Sequence, residues 1–248
     1  MKIGIIGFGA IGGFLARNLG KELAWVADIS PEAKKRFAAS GLKCKFYRAV
    51  PAKCGGADLV VEAASQQAVP LLAKCLFHSD VLIMSVGALA DEKLLKRLVA
   101  AAKKHKRRIH IPSGAIGGTD AISSIGGKLE VAVLETTKPP RSLGRNDSRR
   151  TVVFEGSAAE ACRLYPQNVN VSATLSLSGI GFERTKVRIV SDPAASANTH
   201  RIFAESKAGE MKFEFENAPS EENPKTSALA LQSALRRIKK INETLQIG

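Results

Sequence analysis

The chain has 248 residues, of which 45% are apolar, 24% charged and 5% aromatic. This composition is typical of a folded protein of one or two domains, and it excludes a disulfide-stapled miniprotein and a disordered tail. Lysine and arginine number 37 against 23 aspartates and glutamates, and the resulting charge of +14 favours either an anionic partner or simply solubility.

The apolar runs are too short to span a bilayer. The chain begins Met1-Lys2 and enters a strand-like segment at once, without the pattern of a signal peptide. We therefore expect a cytoplasmic protein with no membrane segment. The 4 cysteines form no C-x-x-C pair and no zinc-ligand spacing, which predicts reduced thiols and no metal site.

The densest basic run, Lys103–Arg108, follows a predicted helix that starts near Asp91. A solvated helix end explains this run at least as well as a nucleic-acid interface does. The sequence contains no zinc finger, and its one Trp and two Tyr offer few side chains for stacking on bases. We expect no nucleic-acid partner.

In the first half, short apolar runs alternate with longer amphipathic ones, which is typical of a parallel sheet with crossover helices. The predicted strands are residues 2–6, 23–27, 43–47, 59–62, 81–85 and 109–111. The predicted helices are residues 10–19, 31–39, 66–76 and 91–104.

After about residue 125 the pattern changes to period-two alternation, which indicates sheet with one wet face. The predicted strands are residues 131–137, 151–155, 186–190, 201–205 and 210–216. Ser157 and Glu160 form a predicted capping box before a short helix, residues 139–150 form a predicted exposed loop, and residues 226–245 form a predicted final helix. The fold class is therefore α/β, with a Rossmann-type parallel-sheet domain (residues 1–120 plus 225–248) and a second α+β substrate and dimerisation domain (residues 121–224).

A G-x-G-x-x-G pattern directly follows the first predicted strand and opens the first predicted helix. Gly7 permits a tight turn, Gly9 lets the backbone approach a pyrophosphate, and Gly12 lets the helix pack closely on the strand. The pyrophosphate would face the N–H groups of the helix start, at Ala10 and Ile11. These five residues form a predicted dinucleotide site.

Asp28 lies sixteen residues after Gly12, at the end of the next predicted strand. A carboxylate at this position accepts hydrogen bonds from the adenosine ribose. Its charge would repel the extra phosphate of NADP and so favours NAD, while Ser30, Lys34 and Lys35 leave NADP possible. The residues alone also allow a glycine turn without a ligand and an Asp28 that only caps a helix.

Three further segments carry small residues at the ends of predicted strands, where ligands of open α/β sheets bind. They are Glu62–Gln67 with Ala64 and Ser65, Ser85–Ala88 with Gly87, and Ser113–Gly118 with Ala115. A flat nicotinamide would need the room that these small residues provide. Each segment taken singly is also explained by the needs of a turn.

Six segments together resemble the L-aspartate dehydrogenase family: Gly7–Gly12, Val61–Val69, Ser113–Gly118, Asn168–Asn170, Asn198–His200 and Asn223–Ser227. They follow one another in this order over essentially the whole chain. The second and last are far more specific than the glycine pattern. The sequence departs most from the family between residues 138 and 150 and around residues 179–184.

The resemblance implies NAD(P)-dependent oxidation of L-aspartate to iminoaspartate. Iminoaspartate then hydrolyses to oxaloacetate and ammonia or enters quinolinate formation for NAD biosynthesis. The resemblance also implies a homodimer, a catalytic histidine at His200, and contacts from Ala115 and Asn170 to the nicotinamide half of the cofactor.

Oxidation of an amine requires a neutral nitrogen lone pair, yet aspartate carries an ammonium at neutral pH. A base must take a proton, and histidine, with an ordinary pKa of about 6.5, suits this task. His200 is the one histidine in the predicted second domain, whereas His78, His105 and His110 lie near polar ends of first-domain elements, where we expect exposure. Without the resemblance, a structural role for His200 stays open.

The two carboxylates of aspartate need cationic or amide partners. Lys225 and Thr226, at the start of the last predicted helix, are candidates for anion binding. Asn198 and Thr199 are further candidates. An ordinary exposed lysine at a helix start explains Lys225 as well.

Two other interpretations remain open. A related two-domain enzyme, similar to homoserine dehydrogenase or dihydrodipicolinate reductase, would act on another substrate with the same fold; the adjacent His-His pair expected of the reductases is absent from the sequence. A non-catalytic NAD(H) sensor or a basic nucleic-acid-binding protein would bind its ligand without turnover.

Overall fold

The computed structural model describes residues 1–166, 169–221, 223 and 226–245. The chain forms two compact units, the first comprising Met1–Pro112 with Ala234–Glu243 and the second mainly Ser113–Ser233. The limits of the cofactor-binding and substrate domains predicted from the sequence, at residues 120 and 225, stay a prediction.

The first unit alternates strands with helices, as the run of apolar segments predicts. Its elements are β1 (Ile3–Ile6), α1 (Ala10–Leu19), β2 (Leu23–Ala27), α2 (Pro31–Ala39), β3 (Lys45–Tyr47), β4 (Leu59–Glu62), α3 (Leu72–Cys75), β5 (Asp80–Ile83), α4 (Glu92–Lys104) and β6 (Ile109–His110). The strands form one parallel sheet in the order β3-β2-β1-β4-β5-β6. This is the Rossmann order, in which the chain reverses direction across the sheet at β1 and β4.

Local signals account for most of these bounds. The Asp91 carboxylate accepts the N–H groups of Lys93 and Leu94 at 2.9 and 3.1 Å and caps α4, the helix predicted to start near Asp91. The prediction of one continuous helix at residues 66–76 is wrong. This stretch begins as a 3₁₀ segment (Gln66–Leu71), and only the short α3 that follows is α-helical. Pro70 lies within this segment, and proline has no N–H to donate to an α-helical hydrogen bond.

The second unit contains a mixed sheet with helices. Its elements are α5 (Thr119–Ile125), β7 (Leu129–Lys138), β8 (Thr151–Ser157), α6 (Ala158–Leu164), α7 (Asn170–Ser178), β9 (Lys186–Ser191), β10 (Asn198–Ser206) and β11 (Gly209–Asn217). The sheet order is β11-β10-β7-β9-β8, with β7 and β9 parallel and the other neighbours antiparallel. The fold class predicted from the sequence is therefore confirmed.

Two helices of this unit, α5 and α7, were not predicted from the sequence. The α7 helix buries Ser172, Thr174 and Ser176 as well as apolar residues, so its sequence carries no clear amphipathic stripe. The predicted capping box is confirmed, since the Ser157 hydroxyl accepts the N–H of Glu160 and the Glu160 carboxylate accepts the N–H of Ser157. The loop at residues 139–150 contains a 3₁₀ turn, Pro140–Leu143, and an Arg145–Asp147 ion pair.

The last helix, α8, spans Ala228–Lys240 rather than the predicted residues 226–245. From Ala234 onwards it belongs to the first unit, where Ala234, Leu235 and Ile238 join the core that includes the buried residues of β1. These buried positions recur at helical spacing, as the apolar pattern of the sequence indicated.

The expected exposure of His110 is wrong. This side chain is 5% exposed, and its Nδ1 lies 3.2 Å from the Arg237 guanidinium of α8. Burial, aided by the charge of Arg237, lowers the pKa of His110. His78 is exposed as expected, whereas His105 is half-buried against Phe77. A chain segment more than a hundred residues away decides the state of His110, so local sequence could not reveal it.

The four cysteines are free. Among the residues that the structure describes, no helix is both long and apolar enough to cross a membrane. In the same part of the chain, no three His, Cys, Asp or Glu side chains are grouped so as to hold a metal ion.

Candidate functional site

A cavity of about 400 Å³ lies in the first unit, lined mainly by residues at or just after the ends of β1, β2, β3 and β4. Five predicted cofactor-binding residues line it: Gly7, Gly9, Asp28, Ala64 and Ser65. Of the other four predicted in this unit, Ala10, Ile11 and Gly12 form the first turn of α1, and Gly87 lies in the buried 3₁₀ turn Val86–Ala90. The described lining of the cavity does not include these four.

The glycines of the first turn have different physical reasons to be glycine. Gly7 has φ +97°, and a Cβ at Gly12 would lie 2.0 Å from the Gly7 carbonyl oxygen. The fold itself therefore requires glycine at both positions, whether or not a ligand binds. A Cβ at Gly9 would meet nothing within 4 Å. The start of α1 carries no side-chain cap and no acidic residue in its first turn. This open space beside uncapped helix N–H groups fits the pyrophosphate of a dinucleotide.

Asp28 fastens this turn. Its Oδ2 accepts the N–H of Phe8 at 2.7 Å, and its Oδ1 accepts the N–H of Ser30 at 2.8 Å. Because each carboxylate oxygen can accept a second hydrogen bond, the partly exposed group keeps capacity for ribose hydroxyls. Asp28 is therefore both a structural anchor and a suitable ligand group.

Sequence analysis missed two arginines of the cavity. Arg36 and Arg48 line it, and the Arg36 guanidinium donates to the Phe8 carbonyl oxygen at 3.1 Å. Lys34 and Lys35, the cations that the sequence suggested, are not among its described lining residues. For Arg36, the signal in the sequence was its spacing from Ala33. Residues at i and i+3 share one face of a helix, and Ala33 is buried against the first unit.

Glu62, at the end of β4, was also missed as a positioning residue. Its fully buried carboxylate accepts the N–H of Ala64, the N–H of Ser85 and the Ser85 hydroxyl, each at 2.9 Å. Burial raises the pKa of Glu62, while these donors oppose the shift. The carboxylate thereby joins the two small-residue segments that follow β4 and β5.

His200 lies in the interior of the second unit's sheet, on β10. The side chain is 4% exposed, and its Nδ1 lies 2.9 Å from the Thr136 hydroxyl on β7. Burial, together with the charge of Lys138, lowers the pKa of His200 to about 3. The imidazole is therefore neutral at physiological pH, as a proton acceptor must be.

The polar neighbours of His200 come from its own strand and from β7. Lys138, which the sequence did not single out, ends β7 and is 8% exposed, and burial lowers its pKa to about 8. Asn198 lies two residues before His200 and therefore on the same face of the sheet, whereas Thr199 lies on the opposite face. The strand thus groups Asn198, but not Thr199, with His200.

Asn217 holds two of the predicted site segments together by hydrogen bonds, a role that sequence analysis did not predict. It is 4% exposed, and its Nδ2 donates to the Ala115 carbonyl oxygen at 3.0 Å, while its Oδ1 accepts the Ser227 hydroxyl at 3.0 Å. Asn217 pairs with Asn198 across the sheet. It therefore ties the segment of Ala115 and the segment of Thr226 to β10, the strand that carries His200.

The remaining predicted residues are placed as follows. Thr226 donates its N–H to the Asn223 carbonyl oxygen at 2.8 Å and accepts the N–H of Ser220 at 2.7 Å. Asn170 is the exposed first residue of α7. Lys225, and Asn168 of the family motif, lie outside the described residues.

Replacing Asn217 with alanine should lower the free energy of unfolding by about 1–3 kcal/mol, because the change strands buried polar partners. Urea unfolding at neutral pH measures this loss. Asn242→Ala, at an exposed position, is the matched control and should unfold like the wild type. Equal stability of the two variants would contradict the role assigned to Asn217.

Two family models match the chain, one in each half. Residues 4–112 match the family described as "Homoserine dehydrogenase, NAD binding domain", and residues 120–241 match "Aspartate dehydrogenase, C-terminal". Together with the sheet order and the cavity, these matches define a dehydrogenase with an NAD-binding domain.

Full-length relatives specify the family. L-aspartate dehydrogenase of Methanosarcina acetivorans is 41% identical over 269 aligned residues, covering 100% of this chain and 99% of that protein. The enzyme of the same name from Methanopyrus kandleri is 39% identical, covering 100% and 98%. The crystal structure of aspartate dehydrogenase from Thermotoga maritima has a TM-score of 0.85 and 35% identity, covering 100% and 99%. The chain belongs to the L-aspartate dehydrogenase family, and the resemblance noted in the sequence is confirmed.

Proposed function

We propose that this protein oxidises L-aspartate to iminoaspartate with NAD as hydride acceptor, and that oxaloacetate and ammonia follow by hydrolysis. The observation that carries the proposal is the buried, neutral imidazole of His200, hydrogen-bonded to Thr136 beside Lys138. The names of the full-length relatives support aspartate as substrate.

In this proposal His200 accepts a proton from the substrate ammonium, which gives the nitrogen the lone pair that the oxidation needs. We assign the transfer to Nε2: in this tautomer Nδ1 carries the ring hydrogen and donates it to the Thr136 hydroxyl oxygen, 2.9 Å away, so that Nε2 is the acceptor nitrogen. Asn198, Thr226 and Lys225 are proposed to bind substrate carboxylates. Thr199 is not included in this proposal, because it lies on the face of the sheet opposite His200. When bound, the nicotinamide supplies the acceptor for the hydride that leaves the α-carbon.

We propose that the glycine turn and Asp28 hold the adenosine diphosphate half of the cofactor. Gly9 leaves room for the pyrophosphate, and Asp28 accepts from the ribose. The carboxylate favours NAD, while Arg36 and Arg48 in the same cavity supply the positive charge that would tolerate the 2′-phosphate of NADP. Ala115 and Asn170 are proposed contacts of the nicotinamide half.

Asp28→Asn should reduce NAD affinity about tenfold, which corresponds to 1.4 kcal/mol, and should leave NADP affinity unchanged or raised. Asparagine keeps the volume and one acceptor oxygen of the turn but loses the charge that repels a 2′-phosphate. Titration of protein fluorescence with NADH and NADPH measures both affinities. Asp120→Asn, at an exposed position of the second unit, is the control.

The converse change tests the arginines. Arg48→Ala should weaken NADPH more than NADH, because only the former carries the 2′-phosphate. If Asp28→Asn and Arg48→Ala each weakened NADH and NADPH binding by the same factor, neither residue would determine the preference between NAD and NADP.

The test of the function is reduced-nicotinamide formation by the purified protein with L-aspartate and NAD, beside NADP and a panel of other L-amino acids and 2-hydroxy acids. Turnover confined to L-aspartate is the expected result. Turnover of another substrate alone would overturn the substrate proposal and keep the cofactor site. NAD binding without any turnover would favour a sensor. The homodimer, the cytoplasmic location, the link to NAD biosynthesis and the absence of a nucleic-acid partner stay predictions.

A further inference from the structure

We propose that Lys138 binds a carboxylate of the dicarboxylic substrate, and that this contact makes His200 able to hold the proton it removes. The inference rests on the proposed function, since it concerns the same substrate. It assigns to Lys138 a role in substrate binding and, through His200, in positioning the proton transfer.

The face of the sheet that carries His200 changes character along the strands. Towards one end it is apolar, with Leu134 on β7 opposite Ile202 on β10. Two residues further, Thr136 lies opposite His200, and beyond it Lys138 lies opposite Ser191 of β9. All four of these polar side chains are buried. Core packing does not call for such a polar end, because each buried polar group costs free energy unless it is satisfied.

Lys138 is the charged group that acts on His200 from the flanking strands. On β7, Lys138 and Thr136 share the face of His200, whereas Glu135 lies on the other face. On β11, the residue opposite His200 is Phe215, and its neighbours Glu214 and Glu216 lie on the other face with Arg201 of β10. Burial and the positive charge of Lys138 together lower the pKa of His200.

A base with so low a pKa accepts a proton readily only if its surroundings change. A carboxylate placed against the Lys138 ammonium would offset the charge that disfavours imidazolium, and the pKa of His200 would rise. The same ion pair would hold the substrate, because hydrogen bonds between charged groups are stronger than neutral ones. Substrate binding and activation of the base would thus depend on one lysine.

Binding of succinate tests the carboxylate site without any chemistry, because succinate has two carboxylates and no amine. Titration calorimetry with the full chain and saturating NADH should give about 10- to 100-fold weaker succinate binding in Lys138→Met than in the wild type. Lys138→Arg, which keeps the charge, should recover much of the affinity. Lys186→Met, at an exposed position of β9, is the matched control. Wild-type succinate affinity in Lys138→Met, or no succinate binding by the wild type, would overturn the inference.

The pH profile of kcat/KM for L-aspartate separates this role from a merely structural one. Removing the positive charge raises the pKa of His200, so in Lys138→Met activity should fall at a higher pH on acidification than in the wild type. Lys138→Arg should keep the wild-type profile. If activity fell at the same pH in Lys138→Met as in Lys138→Arg, the charge of Lys138 would not control proton transfer by His200.

The two proposals fail in distinguishable ways. If the wild type oxidises L-aspartate but Lys138→Met keeps its KM and its succinate affinity, the inference about Lys138 alone is wrong. If the wild type binds succinate through Lys138 but does not oxidise L-aspartate, the carboxylate site stands and the proposed reaction is wrong.

Discussion

His200→Ala is expected to lower kcat for L-aspartate by about 10²- to 10⁴-fold, the usual contribution of a positioned general base. NADH affinity should stay at the wild-type value, because the glycine turn and Asp28 belong to the other unit. Steady-state kinetics and fluorescence titration measure the two effects. His78→Ala, which removes an exposed histidine, is the control. A variant that turns over L-aspartate at the wild-type rate would rule out the proton transfer.

The same variant carries a prediction for stability. Burial lowers the pKa of His200 to about 3, whereas an unfolded histidine has a pKa of about 6.5. Between these values the unfolded chain binds a proton that the folded chain does not, so stability is lost as the pH falls through this window. Urea unfolding at pH values above and within the window should show a smaller loss in His200→Ala. An equal loss in both proteins would contradict the low pKa.

Gly9→Ala is expected to fold like the wild type and to lose at least about 100-fold in NADH affinity, or about 2.8 kcal/mol. A Cβ at Gly9 meets no protein atom within 4 Å and the backbone angles, φ −83° and ψ −157°, suit alanine. The methyl group would occupy the space in which the backbone approaches a pyrophosphate. Thermal unfolding and fluorescence titration with NADH separate the two effects.

Two neighbouring glycines supply the controls. At Gly13, the nearest atoms to an added Cβ belong to the flexible Arg17 side chain, so Gly13→Ala should bind NADH normally. At Gly12, an added Cβ would collide with the Gly7 backbone, so Gly12→Ala should lose stability as well as affinity. Normal NADH affinity in Gly9→Ala would show that the open space does not serve the cofactor.

Short-range signals explain why much of the first unit was predictable. The strands β1, β4 and β5 are fully or almost fully buried, and buried parallel strands appear in sequence as continuous apolar runs. The caps at Asp91 and Ser157 depend on residues at most three positions away. The glycine turn is likewise a property of six consecutive residues.

The sites were predictable only where one segment carries them. His200 was found through a family motif, but its partner Thr136 is 64 positions away, and strand pairing alone brings the two together. Asn217 reaches Ala115 across 102 positions. Neither partner has a local pattern, because β strands that pair at long range impose no spacing on the sequence between them.

By itself, the sequence determined the order of the strands and of most helices, the turn that fits a dinucleotide and the family to which the chain belongs. Tertiary structure alone decided which polar groups are brought together: His110 with Arg237, Glu62 with Ser85, and Lys138 with His200. The physical reason is that secondary structure follows from the spacing of neighbouring residues, whereas burial, and with it the pKa of a side chain, depends on every element that packs around it.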